Sequence, residues 1–101
     1  MTQDKAIELF DRMYSARTLR DTLSYALSLH ESGKTVLDAN ALRAFRRMER
    51  EYNAQSTEAA LQMRDGWIAY RDESLDYVPV LKHMGRNVAM WHGFGAVEIV
   101  A

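Results

Sequence analysis

One stretch in the middle of the chain constrains the fold more than any other: residues 38–53, DANALRAFRRMEREYN. At about 100° per residue, Ala41, Phe45, Met48 and Tyr52 fall on one side of a helix. Arg43, Arg46, Arg47 and Arg50 fall on the opposite side, at i, i+3, i+4 and i+7. One face is therefore built for a core, and the other for water or for something negative. Asp38 suits the N-cap, where its charge also meets the helix dipole.

The flanking sequence supplies partners for this helix. A first helix is expected over about 3–14, with Thr2 as N-cap. Ala6, Leu9, Phe10 and Met13 share one side of it. Continuing that helix would bring Arg17 into the apolar stripe, so a break is expected at 15–17. Thr18 with Asp21 resembles a capping box for a second helix over about 19–31. Leu19, Leu23, Ala26, Leu27 and His30 form its inner face, and Gly33 suits the C′ position. The short loop between these two helices makes them an antiparallel hairpin. Residues 34–37 form a brief extended connection.

Residues 53–56 are polar and break the helical pattern. A fourth helix is expected over about 58–72, capped by Ser56 or Thr57. It is unusual. Ala60, Met63, Trp67 and Tyr70 form one stripe, while Leu61, Ile68 and Leu75 form a second at a seven-residue repeat. Arg64 and Arg71 sit between the two stripes. Gly66 costs such a helix about 1 kcal/mol against alanine. The alternative is a turn at Asp65-Gly66 followed by a strand over 67–71. The helix is favoured, because no alternating strand clearly precedes that turn.

The last quarter fits two descriptions. Val80, Leu81, Met84, Val88 and Trp91 match one face of a fifth helix over 79–92, with Pro79 near its start and Gly93 as terminator. Alternatively, 77–81, 87–91 and 96–100 are strands, with turns at Met84-Gly85-Arg86 and Gly93-Phe94-Gly95. The β-branched ending AVEIVA reads as a strand in either case, and a small sheet is preferred. The expected fold is thus α+β and mainly helical: four α-helices (about 3–14, 19–31, 39–53 and 58–72) with a small C-terminal β element. An all-α chain with a fifth helix at 79–92 is the alternative. All 101 residues are expected in a single compact domain.

Composition narrows function by exclusion. The 101 residues carry a net charge of −1, so no bulk field draws the chain to nucleic acid or membrane. That balance hides an asymmetry: residues 1–50 sum to +2 and residues 51–101 to −3. There is no cysteine, hence no disulfide, thiolate nucleophile or cysteine-ligated metal. No segment approaches the roughly 20 apolar residues of a membrane span, and no apolar run near the start has signal-peptide length. The expected compartment is the cytoplasm.

Three features are candidates for function. The arginine stripe (Arg43, Arg46, Arg47, Arg50) can line phosphates or dock an acidic protein. Arg47 has Glu51, and Arg46 has Glu49, within helical reach. Arg43 and Arg50 have no acid there, and Asp65, Asp72, Glu73 and Asp76 form an acidic patch that could meet them. A solvated outer face is the commoner fate of such a stripe. Second, Leu61, Ile68 and Leu75, flanked by Arg64 and Arg71, form a possible interface if the other stripe packs inside. The alternative is burial on both sides, with the arginines reaching out to water. Third, His30, His83 and His92 match no zinc-ligand spacing, so no metal or other cofactor is expected. Met84, Met90, Trp91 and Phe94 read first as core filling.

No nucleotide, metalloprotease or hydrolase motif is present. The expected function is a small non-catalytic interaction protein, of inhibitor or adaptor type, that covers a surface of another protein or of a second copy. A phage- or plasmid-encoded inhibitor of a host system is one concrete version. The rival is a dimeric nucleic-acid-binding regulator using the arginine face. A small enzyme without a recognisable motif comes third.

Overall fold

Two long helices and one antiparallel sheet make up the fold. The computed structural model describes residues 1–101. Helix α1 spans Gln3–Glu31 and α2 spans Ala39–Gln62. Strands β1 (Trp67–Asp72), β2 (Val78–His83), β3 (Arg86–Trp91) and β4 (Val97–Ile99) follow, with a 3-10 turn at Glu73–Leu75 between the first two. The strands lie in the order β1-β2-β3-β4, each antiparallel to its neighbours.

Two helices thus replace the four expected, and a four-stranded sheet replaces the small β element. The fifth helix at 79–92 is absent, since that segment is β2 and β3. The helical breaks expected at 15–17 and 53–56 do not occur. Arg17 stays in the helix because its Nε donates to the buried Ser56 Oγ on α2, 3.0 Å away. Arg20 Nη1 reaches Asn53 Oδ1 at 2.9 Å, and Ser24 Oγ donates to Glu49. As one number rises by three and then four, the other falls by the same steps. The polar residues that read as punctuation are rungs between antiparallel helices. Thr18 does not open a helix; its hydroxyl donates back to the Tyr14 carbonyl within α1, at 2.8 Å.

The true helix ends match the expected caps. Thr2 Oγ1 accepts from Lys5 N, and Asp38 Oδ1 from Ala41 N. Gly33 takes φ of +77° past α1. His30 Nδ1 accepts from the Leu37 amide at 3.1 Å and holds the α1–α2 loop, where no strand forms at 34–37.

The core lies at one end of the helical hairpin. Ala6, Leu9, Phe10, Met13 and Tyr14 of α1, with Ala59 of α2, pack on Trp67, Leu81, Val88 and Ala89 of the sheet. A register shift opposite Leu81 and Lys82 leaves Val88 as an extra residue in β3, so Val88 and its neighbour Ala89 are both buried. Met84 and Gly85, both at positive φ, make the tight β2–β3 turn. Asp11 locks the far edge: its Oδ1 accepts from Trp91 Nε1 at 2.9 Å and from Gly95 N at 3.0 Å.

Helix α1 is about 43 Å long at 1.5 Å per residue, close to the 47 Å long axis of the molecule. Only its first half touches the sheet core. The rest of the hairpin projects as a two-helix arm with no third layer. Phe45, Met48 and Tyr52, expected as core, are therefore only half-buried along the arm.

Candidate functional site

The segment expected as a fourth helix is where the sheet is open. Asp65 and Gly66 take φ of +60° and +84° and turn the chain from α2 into β1. β1 pairs with β2 alone, so its other edge is free. The Met84 amide donates to the Gly66 carbonyl at 3.0 Å, and Trp67 lies opposite His83. That makes Trp67–His83 a non-hydrogen-bonded pair. By the alternation of an antiparallel ladder, Ile68, Tyr70 and Asp72 bond to β2. Ala69 and Arg71 turn their N–H and C=O groups to the open edge. The same alternation explains Pro79, which lies opposite Arg71 where β1 requires no amide.

A groove with a cavity of about 260 Å³ runs along this edge. Met13 of α1, Ala60 and Met63 of α2, and Trp67 and Ala69 of β1 give it apolar walls. Ile68 borders it and is 54% exposed. Arg17 is the one charged residue in the lining. Its guanidinium carbon lies 4.9 Å from the Tyr14 ring centroid, and that of Arg71 lies 5.5 Å from the same centroid. Neither arginine has a carboxylate within ion-pair distance. Arg17 bonds Ser56, and Arg71 Nη1 bonds the Tyr77 carbonyl at 3.1 Å.

Two buried polar atoms at this site have no partner, the Tyr14 hydroxyl and Trp67 Nε1. Burial raises the Tyr14 pKa above its ordinary value; the positive charges of Arg17 and Arg71 lower it by less. The Arg17 guanidinium is close enough to the hydroxyl to lower its pKa as a weak donor, though short of full hydrogen-bond geometry. Trp67 stacks on His83 with centroids 4.1 Å apart, and His83 Nε2 lies 3.2 Å from the Asp65 carbonyl. This fixes the groove floor.

The expected site residues fall in separate places. Arg43, Arg46, Arg47 and Arg50 are all exposed on the projecting arm. Arg47 meets Glu51 at 4.0 Å, as its spacing implies. Glu49 instead accepts from Ser24, leaving Arg46 without an ion pair. Arg43 bonds Asn40. Arg50 lies about 18 Å along α2 from its C-terminal end, and no ion pair joins the stripe to the acidic patch. In that patch, Asp65 pairs with the Met1 amino group at 2.7 Å, which lowers its pKa through a hydrogen bond and charge. Ser74 donates from its hydroxyl and its amide to Asp72, and lowers the pKa of that carboxyl.

The second stripe does not exist as a surface. Leu61 is on α2 and 80% exposed, Arg64 lies in the turn, and Leu75 is in the 3-10 segment. Ile68 and Arg71 point to opposite faces of β1, because a strand alternates. The two still belong to one region, the groove and its arginine end. The three histidines hold loops and strands, with His92 Nε2 at 2.7 Å from Glu98 Oε1. No group of three His, Asp or Glu side chains is placed to hold a metal ion. No helix is long and apolar enough to cross a membrane.

Arg17 and Tyr14 escaped sequence reading. The available signal was Arg17 itself, a charged residue on an otherwise apolar helical stripe. Comparison with protein-family models, with curated proteins and with solved structures found no match.

Proposed function

We propose that the chain is a non-catalytic interaction protein, of inhibitor or adaptor type, whose contact surface is the groove along β1. One observation carries this reading: an apolar groove on an unpaired strand edge, with Arg17 in its lining and Arg71 against the same Tyr14 ring, neither paired with a carboxylate. The cavity is below the roughly 300–1,000 Å³ of small-molecule sites and suits a partner's side chain. Buried anchor residues in such pockets supply most of the energy of protein contacts. The proposed compartment is the cytoplasm, with which a cysteine-free chain is compatible.

Affinity capture from the cell of origin, read by mass spectrometry, tests this. A partner retained by the native chain should be lost with Ala60→Trp, which fills the groove, and with Ile68→Glu at its rim. Melting curves show whether each variant still folds. The same partners on native and folded variant chains would overturn the proposal.

The exposure of Arg46 and Arg50 without ion pairs favours a second reading, in which the arm lies along nucleic-acid phosphates. It requires binding to duplex or RNA at low salt that falls steeply as salt rises and disappears in an Arg43/Arg46/Arg50→Ala variant. No binding at low salt would overturn it.

A further inference from the structure

The groove and the free edge of β1 are two halves of one surface. Ala69 is both groove floor and an edge residue with unpaired N–H and C=O groups. Arg71, two residues on, lies on the same face, and its guanidinium, like that of Arg17, lies against the Tyr14 ring. We propose that this surface receives an extended segment of a partner protein as a fifth strand on β1. One apolar side chain of the segment fills the groove, and a carboxylate two residues away meets Arg17 and Arg71. This deepens the interaction reading above and rests on it.

Each part of the partner's chemistry follows from a residue already placed. In the free chain water satisfies the edge groups of Ala69 and Arg71. A partner that displaces this water must replace the bonds, which an extended backbone does and a docked helix, with its own backbone groups already paired, does not. Side chains on the groove face of an added strand recur every second residue, the spacing from Ala69 to Arg71. Met13, Ala60 and Met63 surround the first position and call for an aliphatic or aromatic side chain. The second lies at the guanidinium pair, where Asp or Glu forms charge-assisted hydrogen bonds. A second copy of this chain is a poor occupant through the same edge. The groove-face residues of β1 are Trp67, Ala69 and Arg71, so self-pairing brings no carboxylate to the arginines.

The test uses the full chain and a labelled, threonine-rich peptide with leucine and glutamate two positions apart, read by fluorescence anisotropy. Saturable binding is expected. It should weaken about tenfold or more when lysine replaces glutamate, and again when alternate backbone nitrogens are methylated. Arg71→Glu, checked for folding by a melting curve, should abolish the preference for the glutamate peptide, because the new carboxylate neutralises Arg17. Equal binding of the methylated peptide would overturn strand addition. Equal binding of the lysine peptide would overturn the role of the arginines. No binding at millimolar peptide, or a dimer by light scattering that Ala60→Trp dissociates, would overturn the proposal as a whole. If the peptide fails while Ala60→Trp still loses a cellular partner, the interaction reading stands and the strand-addition inference falls.

Discussion

Replacing Tyr14 with phenylalanine should stabilise this protein, although it deletes a polar group from a fully buried residue. Tyr14 is 0% exposed and its hydroxyl has no hydrogen-bond partner. A buried, unpaired hydroxyl costs roughly 1–3 kcal/mol in proteins. The ring contacts survive the change: the edge-on contact with Phe10 at 5.5 Å, and Arg17 and Arg71 at the ring. The nearby guanidinium groups offset part of the cost, so a net gain of about 1 kcal/mol is expected, or about 4–8 °C in melting temperature. The pH dependence is a second signature. The folded-state pKa of Tyr14 is raised by burial above the unfolded value of 10.0. Its contribution is therefore complete below that value and is lost as pH rises through the folded pKa. Tyr14→Phe should remove that alkaline loss. Urea titrations of both proteins at neutral pH and above pH 10 measure both effects. A variant destabilised by about 1 kcal/mol or more would show that the hydroxyl is bonded, and would refute the reasoning.

Three further changes probe the frame of the site. Asp11→Ala removes the acceptor for Trp91 Nε1 and Gly95 N, and should cost about 2 kcal/mol by urea titration, with Asp11→Asn recovering part of it. Gly66→Ala puts a Cβ at a φ of +84° and against the Met84 sulfur, and should lower stability by about 1–3 kcal/mol in thermal melts. Ile68→Glu should leave stability within about 0.5 kcal/mol, because this side chain is 54% exposed; an unfolded variant would make Ile68 core.

The parts of the fold that local chemistry dictates were legible. Thr2, Asp38 and Gly33 mark true helix ends, and Met84-Gly85 and Gly93-Phe94-Gly95 mark true turns between strands. What misled was polarity serving tertiary structure. Arg17, Asn53 and Ser56 look like helix breaks, but each bonds across the α1–α2 seam. A single chain of letters does not show which partner such a residue will meet. β1 was hidden for a different reason. In WIAYRD both faces carry apolar residues, Trp67 and Ala69 on one and Ile68 and Tyr70 on the other. The period of two is erased, and a helical period is as good a fit. Asp65-Gly66 was the correct signal for this strand, and the helical pattern outweighed it. Of the candidate site, Ile68 and Arg71 were singled out for a helical interface. Ile68 borders the groove and Arg71 reaches the Tyr14 ring from the other face of β1, a placement set by the strand and its edge position in the sheet.

The status of β1 as a strand with one free edge underlies both the groove and what it can bind. Residue-resolved amide hydrogen exchange on the free chain tests it directly. Ile68, Tyr70 and Asp72 should exchange slowly, because their amides bond to β2, while Ala69 and Arg71 exchange fast. Protection of all five amides alike, as a helix or a covered edge would give, would contradict this structure of the site.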